Sequence, residues 1–110
     1  MEFKVDKLGE VTVVRISGNL DTQTSPDSQK QLTQLIDNGA KKILIDFEDL
    51  NYISSSGLRM LLVAAKQLKA VSGQLRVCNL KAVVREVFDV SGFTVMLPVS
   101  NSQAEALDGF

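Results

Sequence analysis

The stretch that decides the fold runs from residue 43 to residue 58 and reads Ile43-Leu44-Ile45-Asp46-Phe47-Glu48-Asp49-Leu50-Asn51-Tyr52-Ile53-Ser54-Ser55-Ser56-Gly57-Leu58. Its first part is a short apolar run, which is typical of a central strand covered on both faces. Its last part sets three consecutive serines before Leu58 to Leu68, where leucines recur at helical spacing. A buried strand and an amphipathic helix, joined through the serines, are therefore predicted to form the centre of the fold.

Hydrophobic patterns upstream predict a hairpin and one helix. The β-branched run from Glu10 to Ser17 follows Phe3-Lys4-Val5 after a turn at Leu8-Gly9, so these two runs are predicted to pair as strands. The next element is predicted to be a helix that starts with Ser25 as its N-cap residue, followed by proline, and ends at Gly39.

Downstream of the serines, the pattern predicts a helix ending with Gly73 at its C′ position, and then shorter elements. Residues 74–78 are predicted to form a strand, 83–88 a helix, and 93–97 a further strand. Ser100 or Asn101 is predicted to cap a terminal helix. Strands that alternate with helices after a hairpin indicate an α/β fold with a mixed sheet, here of four to five strands, and three to four helices.

Length and composition predict one domain, spanning residues 1–110, without nucleic-acid or membrane partners. The chain has 110 residues, of which 45 % are hydrophobic and 23 % charged, and its net charge is −1. Such a balance gives no field that attracts nucleic acid or an anionic membrane. The lone Cys78 cannot form an intramolecular disulfide and is predicted to be a small buried side chain. With no export signal or apolar span visible in the sequence, a cytoplasmic location is expected.

The residue types argue against an enzyme, a metal centre or a cofactor. The chain contains no histidine, so it cannot form a Ser-His-Asp triad or a His-ligated metal site. Glycine-rich nucleotide-binding motifs and serine elbows are also missing. A site made of carboxylates alone stays open, and its candidates are Asp21, Asp46, Glu48 and Asp49.

The three serines have two possible roles on the residues alone. One serine before a helix acts as an N-cap and contributes ~1 kcal/mol by accepting an otherwise unpaired N–H. Three in succession leave at least one hydroxyl free, and the positive end of a helix accommodates a phosphate. The run is therefore either a cap or a phosphate acceptor.

Two segments resemble the STAS domain found in bacterial anti-sigma-factor antagonists. Residues 43–58 are similar to that family's strand, acidic loop and Asp-Ser-Ser-Gly-Leu or Asp-Ser-Thr-Gly-Leu motif. Gly18-Asn19-Leu20-Asp21-Thr22-Gln23-Thr24 is similar to its Gly-Glu-Leu-Asp-x-x-Thr loop. The order of elements agrees over nearly the whole chain, so the resemblance implies a single STAS-type domain.

The resemblance implies a switch controlled by serine phosphorylation. The unphosphorylated protein would bind an anti-sigma factor or related serine switch kinase, phosphorylation at Ser55 would abolish binding, and a PP2C-type phosphatase would reverse it. Ser54 stands where the family has aspartate, and Ser56 is left as the structural hydroxyl of the helix start. The contact face implied for the partner consists of Asp21, Thr24, Ser54, Ser56, Gly57 and Leu58.

Two other readings remain beside the antagonist. A structural or scaffold STAS module could serve another signalling or secretion pathway. A receiver domain could use Asp46, at the end of a central strand, as its phosphoacceptor. Receivers, however, carry an acidic pair after the first strand and a lysine after a late one, whereas this chain opens with a predicted hairpin and its late strand ends in Pro98.

Overall fold

The computed structural model describes residues 1–110, which form one α/β domain with a mixed sheet and five helices. In chain order the elements are β1 Glu2–Leu8, β2 Val11–Leu20, α1 Ser25–Asp37, β3 Lys42–Asp46, β4 Leu50–Ile53, α2 Ser55–Ala70, β5 Gln74–Cys78, α3 Ala82–Ser91, α4 Phe93–Met96, β6 Val99–Ser100 and α5 Gln103–Leu107.

The sheet opens with the predicted hairpin and continues with parallel strands. β1 pairs antiparallel with β2, and the strand order is β1-β2-β3-β5-β6. The first half of β2, residues 11–15, pairs in parallel with β3, and its last residues, 18–20, pair in parallel with β4. The sheet is mixed, as predicted, because β1 and β2 are antiparallel and the other pairs are parallel. The α/β class is confirmed as well, because a helix lies in the chain between the two strands of each parallel pair.

The central strand β3 is covered on both faces, as its apolar run predicts. Ile43, Leu44 and Ile45 are all fully buried. Successive side chains of a strand point to opposite faces, and the two hydrophobic clusters divide accordingly. Ile43 and Ile45 belong to the larger cluster with α1 to α4, while Leu44 belongs to the smaller one with Ala106 of α5.

The prediction of a strand over residues 93–97 is wrong. Phe93–Met96 form the short helix α4, and the strand that joins β5 is the two-residue β6. Phe93 and Leu97 are both buried while Val95 and Met96 are exposed, so the apolar contacts recur every four residues and not every two. The short β4, β6 and α4 raise the totals to six strands and five helices.

Three predicted helix boundaries are also corrected. Ser25 lies inside α1, whose N-cap residue is Thr24. The C-cap of α2 is Val71, and Ser72, with φ of 61°, takes the left-handed conformation expected of Gly73. Ser102, and neither Ser100 nor Asn101, caps α5 by accepting the Glu105 N–H. None of the five helices is long and apolar enough to cross a membrane.

The single cysteine is a core residue, as predicted. Cys78 lies at the end of β5 and is fully buried. Burial, reinforced by the nearby carboxylate of Asp46, raises the pKa of its thiol to about 12. Since the thiolate is the reactive form, burial and the raised pKa both disfavour reaction at Cys78.

Candidate functional site

The two segments singled out in the sequence meet at one edge of the sheet. β2 and β4 run parallel, and their last residues, Leu20 and Ile53, are register partners. The Ser54 N–H continues this pairing by donating to the Leu20 carbonyl at 2.8 Å. The loop after β2 and the serines after β4 therefore lie side by side, although they are about 30 residues apart in the chain.

The loop of residues 21–24 is held by its own polar groups. The Asp21 Oδ1 accepts the N–H of Gln23 at 2.9 Å and that of Thr24 at 3.1 Å. The Thr24 hydroxyl accepts the Asp21 N–H at 3.0 Å and donates to the Asn19 carbonyl at 2.8 Å. Hydrogen bonds to the carboxylate, chiefly from the Thr24 N–H, hold the pKa of Asp21 below its ordinary value. Both predicted contact residues thus fix the loop's conformation.

Each of the three serines has a different environment. Ser54 is the N-cap residue of α2, with extended backbone, and its Oγ accepts the Gly57 N–H at 3.4 Å. Ser56 is half-buried, and its Oγ lies 3.4 Å from the Oγ1 of Thr22. Ser55 is exposed and its hydroxyl makes no hydrogen bond within the protein. The structural hydroxyl of the helix start is therefore Ser54, whereas the sequence pointed to Ser56.

The replacement of the family's aspartate by Ser54 keeps the cap and removes a charge. Serine and aspartate are about equally good N-cap residues, because either offers an oxygen to the free N–H groups of the first turn. The N–H groups of Ser55 and Ser56 have no acceptor in the protein. The first turn of α2 therefore presents unpaired donors beside an exposed hydroxyl and carries no acidic side chain.

Gly57 and Leu58 lie beneath this surface. A Cβ on Gly57 would come within 2.7 Å of Ile53 Cγ1 and 3.1 Å of the Leu20 carbonyl oxygen. Only glycine lets α2 approach the ends of β2 and β4 this closely. Leu58 is 7 % exposed and packs in the main core. Of the predicted contact face, these two residues are buried, and the other four are half-buried.

Of the carboxylates considered for a catalytic or receiver-like site, Glu48 and Asp49 are exposed and line one shallow cavity with Asp46, whose own contacts are structural. Asp46 is 2 % exposed and accepts hydrogen bonds from the Glu48 N–H, the Asn79 amide and the Gln103 amide, the last at 2.7 Å. The Arg15 Nη2 lies 3.8 Å from the same Asp46 Oδ2 that accepts the Gln103 amide. These contacts hold the Asp46 carboxylate in place at the end of β3. Asp21 belongs to the separate loop already described.

Two residues near the serines were not predicted. Thr22 contacts Ser56 across the two segments. Arg59 is exposed and lines, with Thr22 and Ser56, a shallow groove between α1 and α2. The sequence offers one signal for Arg59, since it is the only charged residue in the first two turns of α2.

Ser54→Ala is expected to lower the free energy of unfolding by about 1 kcal/mol, because the Gly57 N–H loses its acceptor. Ser54→Asp should retain wild-type stability or exceed it slightly, since aspartate caps equally well and its charge suits the helix N-terminus. Urea unfolding would measure both. The matched control is Ser55→Ala, which removes a free hydroxyl one residue later and should change stability by less than about 0.5 kcal/mol.

This fold and motif define the class of the protein: the chain belongs to the STAS domain family, whose model matches residues 2–106. Relatives within that family include proteins named as anti-sigma factor antagonists. The chain is 37 % identical over 110 residues to BtrV of Bordetella bronchiseptica, which is named as an anti-sigma factor antagonist; the match covers all of this chain and 95 % of that protein.

Solved structures agree with this assignment. The anti-sigma factor antagonist SpoIIAA in its unphosphorylated form superposes with a TM-score of 0.84 at 28 % identity, over 97 % of this chain and 94 % of that one. The phosphorylated form of Bacillus SpoIIAA superposes with a TM-score of 0.75 at 28 % identity, over 97 % of each chain.

Proposed function

We propose that this protein is an anti-sigma-factor antagonist that binds an anti-sigma factor or related serine switch kinase, and that phosphorylation of Ser55 abolishes the complex. The observation that carries the proposal is the free, exposed hydroxyl of Ser55 in the first turn of α2, beside the loop of residues 21–24. A PP2C-type phosphatase would return the protein to its binding form.

The relatives support this proposal through what their names describe. BtrV and SpoIIAA are both anti-sigma factor antagonists by name, and the SpoIIAA structures comprise an unphosphorylated and a phosphorylated form. A protein with the same fold therefore exists in the two states that the proposed switch requires. The partner kinase and the phosphatase would supply the chemistry, so we propose no catalytic residue in this chain.

The phosphate would act at the surface and leave the fold intact. It adds about −1.5 to −2 charges, which takes the chain from −1 to roughly −2.5 to −3. The unpaired N–H groups of Ser55 and Ser56 and the positive end of α2 accommodate an anion, worth ~0.3–1 kcal/mol. In a desolvated contact with a partner, the same charge without a counter-ion costs several kcal/mol.

The proposal is tested by copurifying the tagged protein with its partners and mapping phosphate on the Ser54 to Ser56 peptide by mass spectrometry. We expect a serine kinase among the partners and acid-stable phosphate on Ser55, lost in Ser55→Ala and retained in Ser56→Ala. An acid-labile acyl phosphate on Asp46, or phosphate only on Ser54, would contradict the assignment. Stable partners without any kinase would favour the scaffold alternative.

A further inference from the structure

Helix α2 carries positive charge only. Between Ser55 and Ala70 its charged residues are Arg59, Lys66 and Lys69, and it contains neither aspartate nor glutamate. A phosphate at Ser55 would be the first anion on this helix. Arg59 stands four residues after Ser55, and residues four apart on a helix are surface neighbours, with Cβ atoms about 5–6 Å apart.

The guanidinium of Arg59 is uncommitted. It takes part in none of the three ion pairs of the structure, which join Lys4 to Glu2, Arg15 to Asp46 and Lys42 to Glu10. No residue that lines the groove beside it is acidic. The nearby loop supplies one carboxylate, Asp21, whose Oδ1 is held by two backbone N–H groups.

The direction of the side chain also suits a contact with residue 55. Side chains of an α-helix point back towards its N-terminus and cover the preceding turn. Arg59 therefore stands where its side chain can reach the turn that carries Ser55 and Ser56, and it lines the same groove as Ser56, three residues earlier. A planar guanidinium can donate two parallel hydrogen bonds to phosphate oxygens.

We infer that Arg59 is a positioning residue of the switch, which forms an ion pair with the phosphate of phosphoserine 55 and holds it against the first turn of α2. This inference rests on the proposed phosphorylation of Ser55. Its consequence is that phosphorylation changes two features of the surface together, because it adds an anion and engages a cation that is free in the unmodified protein.

The test uses full-length protein with phosphoserine installed at position 55 by genetic-code expansion, so that no kinase is needed. Phosphorus NMR titration gives the second pKa of the phosphate, ordinarily near 6. In Arg59→Gln we expect this pKa to be higher by about 0.3 to 0.7 than in the Arg59 protein, because the pair favours the dianion. Arg59→Lys should recover part of the difference, and 1 M NaCl should reduce it.

Lys69→Gln is the matched control. It removes a positive charge from the same helix about 21 Å from residue 55, given the 1.5 Å rise per residue, and should leave the phosphate pKa unchanged. Equal values in the Arg59 and Arg59→Gln proteins would overturn the inference and leave Ser55 standing as the acceptor. If phosphoserine 55 failed to weaken partner binding, the proposed function would fail whatever the titration gave.

Discussion

Phosphoserine at position 55 is expected to weaken binding of the partner kinase by at least about 100-fold, while Ser55→Ala binds within a few-fold of the unmodified protein. The Ser55 hydroxyl has no partner inside the protein, so its removal costs the fold nothing. A phosphate there enters the contact as a charge whose desolvation costs several kcal/mol, and each 1.4 kcal/mol is a factor of ten in affinity. Isothermal titration calorimetry would measure all three forms.

A control variant separates the effect of a charge at residue 55 from the effect of the chain's net charge. Gln34→Glu adds a negative charge at an exposed position in the second half of α1 and should bind like the unmodified protein. Ser55→Asp, with one charge and two oxygens, should weaken binding less than phosphoserine does. Circular dichroism and melting cooperativity should stay nearly unchanged in every variant. A large loss of helix on phosphorylation, or equal binding by Ser55→Ala and phosphoserine 55, would refute the surface mechanism.

Gly73→Ala is expected to lower the free energy of unfolding by about 3 kcal/mol, the largest stability effect among single methyl additions. A Cβ on Gly73 would overlap the Lys41 carbonyl oxygen. That oxygen accepts the Gln74 N–H at 2.8 Å, next to the Lys42–Gln74 pair that begins the β3–β5 ladder. The methyl group therefore displaces backbone, which has no alternative rotamer. Urea unfolding would measure the loss.

Gly57→Ala is the comparison variant, because it adds the same methyl group at the second glycine that has a close neighbour. Its Cβ would come within 2.7 Å of the buried Ile53 Cγ1, a side-chain atom, and alanine gains about 1 kcal/mol in helix propensity over glycine, which offsets part of the clash. Its stability loss should therefore be clearly smaller than that of Gly73→Ala. If the two variants unfolded alike, or Gly73→Ala unfolded like wild type, the close approach of Gly73 to Lys41 would not exist in solution.

The long elements could be read from the sequence because their side-chain periods are strong. Residues 43–45 form an apolar run and are buried on both faces, and the leucines after Ser56 mark α2 by their spacing. The short elements could not. β4, β6 and α4 have two to four residues each. So few residues cannot show whether the apolar side chains repeat every 2.0 residues, as in a strand, or every 3.6, as in a helix.

The sequence by itself determined the α/β class, the opening hairpin and the place of the serines before α2, because each depends on local pattern. Through a family resemblance, the sequence also placed the motif around Ser55 and the loop around Asp21 on one implied contact face. Only the tertiary structure decided which serine has which task. The cap falls on Ser54 because the Ser54 N–H still pairs with β2, so the helix can begin only at Ser55. Burial of Asp46, and exposure of the Ser55 hydroxyl, follow from contacts between distant segments that no local pattern contains.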